Sequence, residues 1–239
     1  MTRNIIPSRA SRGMGLVELL VGLALGLVLV LALAYFFLSS SQTGRTHSDS
    51  SRMQENARFS LDVMGKAIRQ AGYRTDYLTV AAFDPLTASE GGNDDKTPDS
   101  ITVRYDAQDG GEVDCAGTNI VPPGVVTYAL SVNADRELIC SNGTVSVVLA
   151  DNVENLQITY GVDTERNGMI DSISKADALT ATTARQVAVV NVVLTMRGTT
   201  PNAATTVAAG TPAAKLEYVN DGFLRQTYNA SYTVRNQAG

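Results

Sequence analysis

The chain has 239 residues, enough for one good-sized domain and an anchor rather than for several domains. It contains no tryptophan, and its formal net charge is -5. The first thirteen residues hold Arg3, Arg9 and Arg12 and no acid, leaving 16 basic against 24 acidic residues in the remainder, a net of -8 that disfavours non-specific binding to nucleic-acid phosphates.

The first predicted element is apolar. From Leu19 to Leu38 there are 20 residues without a charge, which as a helix span ~30 Å, about one hydrocarbon core. A cleavable secretory signal has a shorter apolar stretch of ~7–15 residues, and no small-residue cleavage pattern follows Leu38. The three arginines ahead of the segment place the N-terminus in the cytoplasm and the rest of the chain outside. A plain signal anchor accounts for all of this except Glu18, a carboxylate at the edge of the run. Charges inside membrane segments are costly and usually partnered. Cleavage between Gly13 and Met14 creates such a partner, because the new α-amino group lies four residues from Glu18.

The run Gly13, Met14-Gly15-Leu16-Val17-Glu18-Leu19-Leu20 resembles the type III leader junction of type IV prepilins. In that family a short basic leader ends in Gly, a membrane peptidase cuts after it and N-methylates the new terminus, and a Glu sits at the fifth mature position. The resemblance implies a leader over residues 1–13, methylation of Met14 and an assembly contact at Glu18. Met14 and Gly15 depart from the usual Phe and Thr or Ser.

Beyond a polar stretch, Met53, Ala57, Leu61, Met64, Ile68 and Ala71 recur at spacings of 4, 4, 3, 4 and 3, the helical period. Arg52, Glu55, Arg58, Asp62, Lys66 and Arg69 occupy the other face, so the helix is amphipathic and lays one stripe on a domain. Gly72 is a natural stop. The helix is expected to run from Met14 to about Ala71, with Gly44 and the serines around it as places for a bend.

From Ile101 onward the period changes to two. Ile101–Tyr105, Val126–Val132, Val145–Leu149, Leu156–Tyr160, Gln186–Met196 and Phe223–Val234 read as strands of an antiparallel sheet. Ala88–Ser100, Ala176–Ala184 and Thr199–Ala214, the last with Pro201 and Pro212, read as loops. The fold class is therefore α+β: a long N-terminal helix, transmembrane in its first half and amphipathic in its second, packed on an antiparallel β-sheet head. The divisions are a leader at 1–13, a transmembrane and assembly helix at 14–38, an amphipathic helix at 39–72 and a head at 73–239.

Cys115 and Cys140 are the two cysteines. An oxidising compartment makes a disulfide the default, tying the loop before Ile120 to a strand at Leu138-Ile139. Asp163 to Asp171 has two readings. Asp163, Glu165, Asn167 and Asp171, with Gly168 at the sixth place, resemble the oxygen ligands of a calcium loop, but the twelfth place is Ser174 rather than Glu. A tight Asn-Gly hairpin turn with solvated acids is the favoured alternative. No catalytic residue and no other cofactor is expected. The single histidine, His47, sits beside Ser48-Asp49-Ser50-Ser51 and is read as solvated, as are Asp94, Asp95, Asp106 and Asp109.

"DNVENLQITYGVDTERNGMID", Asp151 to Asp171, resembles a segment of PilW-type minor pilins, in which a VE-x-L-x-x-x-YG-x-D strand leads into an Asp/Asn/Gly turn. Glu55–Tyr73 and Tyr232–Asn236 fit the same pattern. The resemblance implies a minor pilin that helps to start fibre assembly and so supports twitching motility, adhesion and DNA uptake. Its implied partners are the prepilin peptidase, inner-membrane lipid, and then other minor pilins and the major pilin through the N-terminal helix. It would stand in the inner membrane with its head periplasmic, then move to a pilus on the cell surface. The alternatives are a J-kind minor pseudopilin of type II secretion and a signal-anchored periplasmic binding domain.

Overall fold

The computed structural model describes residues 15–74, 86–91, 97–107, 112–121, 124–201 and 221–236. The leader, Gly13 and Met14 lie outside them, as do Asp94, Asp95, Asp109 and Pro212. The chain divides into two units, Met1–Arg45 and Thr46–Gly239.

Helix α1 covers Leu16–Gln70, 55 residues. Gly44 and the serines around it are helical residues. One glycine costs a helix only ~1 kcal/mol relative to alanine, too little to break it. The hydroxyl of Thr43 donates to the Ser39 carbonyl at 3.0 Å, so this polar stretch satisfies itself within the helix. Gly72, at φ 75°, follows the helix, and its N–H donates to Arg104 O at 2.9 Å.

In the second unit α1 buries the stripe its spacing predicts. Met53, Ala57, Met64, Ile68 and Ala71 are buried, and Leu61 packs against the same core. Burying Met64 or Ile68 completely contributes ~1.5–3 kcal/mol each.

Among the described residues the strands, all antiparallel, form two larger sheets and a ribbon rather than one sheet. The first sheet is ordered β1 (Leu86–Ser89), β2 (Ser100–Asp106), β5 (Val125–Val132), β6 (Leu138–Ser141), β7 (Ser146–Ala150). The second is ordered β11 (Arg225–Thr233), β10 (Val187–Arg197), β8 (Val153–Val162), β9 (Ser172–Ser174). β3 (Glu112–Val113) and β4 (Asn119–Ile120) make the ribbon. The chain changes sheets at Asp151 and Asn152, where Asn152 adopts φ 60°.

A buried carboxylate ties the sheets together. Asp99 N–H donates to Leu156 O at 2.7 Å, and the Asp99 carboxylate accepts from Ile158 N–H at 2.8 Å and Gly91 N–H at 3.1 Å. The head of β2 thus bonds to β8 as a short strand would. Burial pushes the Asp99 carboxyl up, against the pull of those two N–H groups.

Three readings need correction. Ala88 and Ser89 belong to strand β1, held by pairing with Ser100 and Ile101 rather than by any period of their own. Ala176–Ala184 is not plain loop: it holds a 3-10 turn at Ala176–Ala178 and a one-turn helix α2 at Ala181–Ala184. The α2 turn is closed by a capping box between Thr180 and Thr183. Asp106 is fully buried at the end of β2, not solvated.

Candidate functional site

In the first unit the side chains of α1 from Leu16 to Leu38 are exposed and mostly apolar. Leu16 is 77% exposed and Phe36 72%, and an 18-residue window of mean hydropathy 2.8 has none of its residues buried. An unbroken apolar surface of that size marks a membrane or protein contact, and the helix is long and apolar enough to cross a membrane. Glu18 lies in the first turn, and the N–H groups of Glu18 and Leu19 donate to Gly15 O at 3.0 and 3.2 Å. The positive end of the helix dipole favours a carboxylate there, an attraction that adds to any pairing with an amine.

In the second unit charged side chains fasten elements together. Asp49, in the polar stretch of α1, is only 6% exposed. Its carboxylate accepts from Thr199 N–H at 3.1 Å, Thr199 Oγ1 at 2.9 Å and Thr200 N–H at 2.7 Å. Burial pushes this carboxyl up, but the hydrogen bonds from Thr200 and Thr199 outweigh that and hold it below the usual carboxylate range. Asp49 is therefore committed to the turn after β10 and does not orient the exposed His47 beside it.

At the start of β11, Arg225 joins two carboxylates. It is bidentate to Glu154, with Nη2 to Oε1 at 3.0 Å, and bidentate to Asp221 at 2.8 Å on both arms. Arg197 adds a second cation to Asp221 at 2.9 Å and stacks over the Phe223 ring at 3.8 Å. The guanidinium of Arg225 holds the Asp221 carboxyl far below its ordinary range. Neither Asp49 nor this cluster was found from sequence. Their partners are far away along the chain, and an isolated acid in a polar stretch carries no period that marks it.

Cys115 and Cys140 are joined, with Cα atoms 6.1 Å apart and a sequence separation of 25. The bond fixes the β3–β4 ribbon to β6. Beside it Asp114 accepts from Ala116 N–H at 2.8 Å, Thr118 N–H at 2.9 Å and Asn142 Nδ2 at 2.7 Å, closing the ribbon's turn.

The segment 163–171 connects β8 to β9, which pair from Tyr160↔Ser174 to Val162↔Ser172. It is a hairpin, but not a tight Asn-Gly turn: positive φ falls at Arg166 (54°) and Gly168 (83°), not at Asn167. The acids fold the loop themselves. Asp163 accepts from Asn167 N–H at 3.2 Å and Gly168 N–H at 2.8 Å. Asp171 accepts from Thr164 N–H at 2.8 Å and Thr164 Oγ1 at 2.6 Å, which lowers its pKa. Glu165 accepts from the Asn167 amide at 3.1 Å, and Asn167 Oδ1 accepts from Met169 N–H at 2.8 Å. The four oxygen-bearing side chains point at their own loop's donors rather than at a common centre. Among the described residues no group of three or more His, Cys, Asp or Glu is placed to hold a metal ion.

The model of the family described as Type IV Pilus-assembly protein W matches residues 127–236, from within β5 to just past β11. A solved structure, a type IV-like pilin from Thermus thermophilus, is similar over 78% of this chain and 98% of its own, at 15% identity and a TM-score of 0.47. No curated protein matches the chain. The family match falls on the VE-x-L-x-x-x-YG-x-D strand and on the terminal strand, so this part of the head is similar to the PilW family.

Proposed function

We propose that this chain is a type IV pilus component, a minor pilin made as a prepilin, cut after Gly13 and N-methylated on Met14. It enters the inner membrane with its head in the periplasm. There it joins other minor pilins and the major pilin through α1 and helps to start the fibre. Twitching motility, adhesion and DNA uptake follow from that fibre. The observation that supports this reading best is the run from Leu16 to Leu38, whose side chains are all exposed. Lipid can cover such a surface in the membrane, and neighbouring helices can cover it in a polymer, where close packing replaces lipid contacts.

Glu18 has a defined part in this account. The methylated amine of Met14 on a neighbouring subunit, or on its own chain before assembly, neutralises the carboxylate and fixes axial register. The test begins with the N-terminal sequence of the mature protein. Residue 14, methylated, is the expected start, and a start upstream would return the chain to a signal-anchored periplasmic domain. Glu18→Ala should leave cleavage intact and lower the amount of protein in sheared pili, and normal incorporation would remove Glu18 from assembly.

A J-kind pseudopilin of type II secretion shares the leader and helix logic. Deletion separates the two, since a minor pilin's loss removes surface pili and a pseudopilin's loss stops exoprotein secretion.

A further inference from the structure

Four strands end the two larger sheets, β1 and β7 in one and β9 and β11 in the other. β1, β7 and β9 are 4, 5 and 3 residues long. β11 has 9, pairs with β10 from Val189↔Thr233 to Arg197↔Arg225 without a register shift, and contains neither Pro nor Lys. Proteins usually blunt so long an edge with a bulge, a proline, a lysine or a covering element.

The side of β11 that faces away from β10 follows from two hydrogen bonds. Gly198 N–H donates to Leu224 O at 2.7 Å, and Val234 N–H donates to Ala188 O at 2.9 Å. Both continue the β10–β11 register past its ends. In an antiparallel ladder, pairs that exchange hydrogen bonds alternate with pairs that do not. Counting inward by twos from either bond, Gln226, Tyr228, Ala230 and Tyr232 direct their N–H and C=O at β10. Thr227, Asn229 and Ser231 direct theirs outward, and among the described residues no backbone group meets them.

Among the described residues, a groove of about 910 Å³ lies beside this edge and separates it from the flank of α1, with Thr227 and Asn229 on one wall and Phe59 and Leu61 on the other. That volume is within the ~300–1,000 Å³ range of ligand clefts. The side chains of β11 on the even positions reach α1: Tyr232 Oη donates to Leu61 O at 2.6 Å, and Gln226 Nε2 donates to Ser50 Oγ at 3.0 Å. They brace the strand without covering its outer edge. The charges in the groove balance, Arg58 and Arg69 against Glu55 and Asp62. Phe59, 53% exposed, offers an apolar contact.

We propose that β11 receives a fifth strand: an extended, near-neutral segment of a different pilus subunit, with apolar residues at alternate positions. Its main chain bonds Thr227, Asn229 and Ser231, and its α1-facing side chains pack on Phe59 and Leu61. The outward-facing amides call for a strand. The balanced groove gives an approach free of the repulsion that the chain's excess of acid imposes elsewhere. This inference rests on the reading of the chain as a fibre subunit.

The test uses the full chain in two states, as a detergent-solubilised monomer and in its native assembly. Hydrogen exchange should find the amides of Thr227, Asn229 and Ser231 fast in the monomer and at least about a hundredfold slower in the assembly, while those of Tyr228 and Ala230 stay slow in both. Fast exchange of the outward amides in the assembly overturns the proposal. So does protection already present in the monomer, which would mean that the chain covers its own edge. Protection that appears only in a homodimer assigns the edge to a second copy and overturns the stated occupant.

In cells, Asn229→Pro removes an outward N–H and leaves the β10 ladder whole, whereas Asn229→Ala keeps the N–H. The proline variant should drop at least about tenfold in sheared fibres and the alanine variant should match wild type. Equal incorporation of both variants overturns the proposal. If wild type itself is absent from sheared fibres, the fibre reading fails, and hydrogen exchange in the native membrane still decides whether the edge is occupied. The same exchange measurement decides the matter if the proline variant does not fold.

Discussion

Arg225→Met should destabilise the second unit strongly, and in a manner that pH reveals. The Arg225 side chain is 6% exposed, against 17% for Glu154 and 26% for Asp221. Removing one partner of a buried ion pair costs ~3–5 kcal/mol, because the remaining charge is left without compensation. Here both carboxylates touch solvent and Asp221 keeps Arg197, so about 2–4 kcal/mol is the reasonable share. For a unit of this size each kcal/mol moves Tm by ~2–4 °C, which gives a loss of roughly 4–16 °C at pH 7. The folded pKa of Asp221 is depressed. Its contribution is therefore fully present above the unfolded value of ~3.9 and is lost as pH falls through the folded value. Thermal unfolding of the full chain in detergent should show wild type and Arg225→Met far apart at pH 7 and converging below about pH 3. A gap under ~1 kcal/mol at pH 7 would refute the charge network as a fastening. A gap of undiminished size at low pH would show that the arginine acts by packing alone.

Gly65→Ala tests the fit of α1 to β11. An added Cβ would meet the Tyr232 ring, with Cδ1 at 2.8 Å and Cζ at 2.9 Å, so overpacking of ~1–3 kcal/mol should exceed the ~1 kcal/mol that alanine gains in a helix. Chemical denaturation should show lower stability, and a stabilised variant would mean the ring moves freely. Replacing Cys115 and Cys140 together by serine should cost ~3 kcal/mol on the chain-entropy account, read as a drop in Tm, and a free-thiol assay on the wild type should detect none. Calcium added to the full chain should leave its Tm unchanged, because Asp163 and Asp171 already serve their own loop; a rise that saturates with calcium would restore the metal reading.

Most of what the sequence determined about this protein is periodic or local. The uncharged run, the stripe from Met53 to Ala71 and the alternation of β2, β5, β8, β10 and β11 follow from whether each residue meets water or oil, and neighbours along the chain settle that. The strand at Leu86–Ser89 and the three-residue β9 were not legible, because their backbones are held by partners in other strands rather than by their own residue order. Tertiary structure alone decided that the strands form two sheets joined through Asp99, that Asp106 is buried, and that Asp49 and Arg225 each fasten distant segments. It also decided which amides of β11 face outward, since that depends on register across β10. The physical reason is common to all of them: a polar group's energy depends on the donor or acceptor that folding brings to it, and one-dimensional order does not contain that distance.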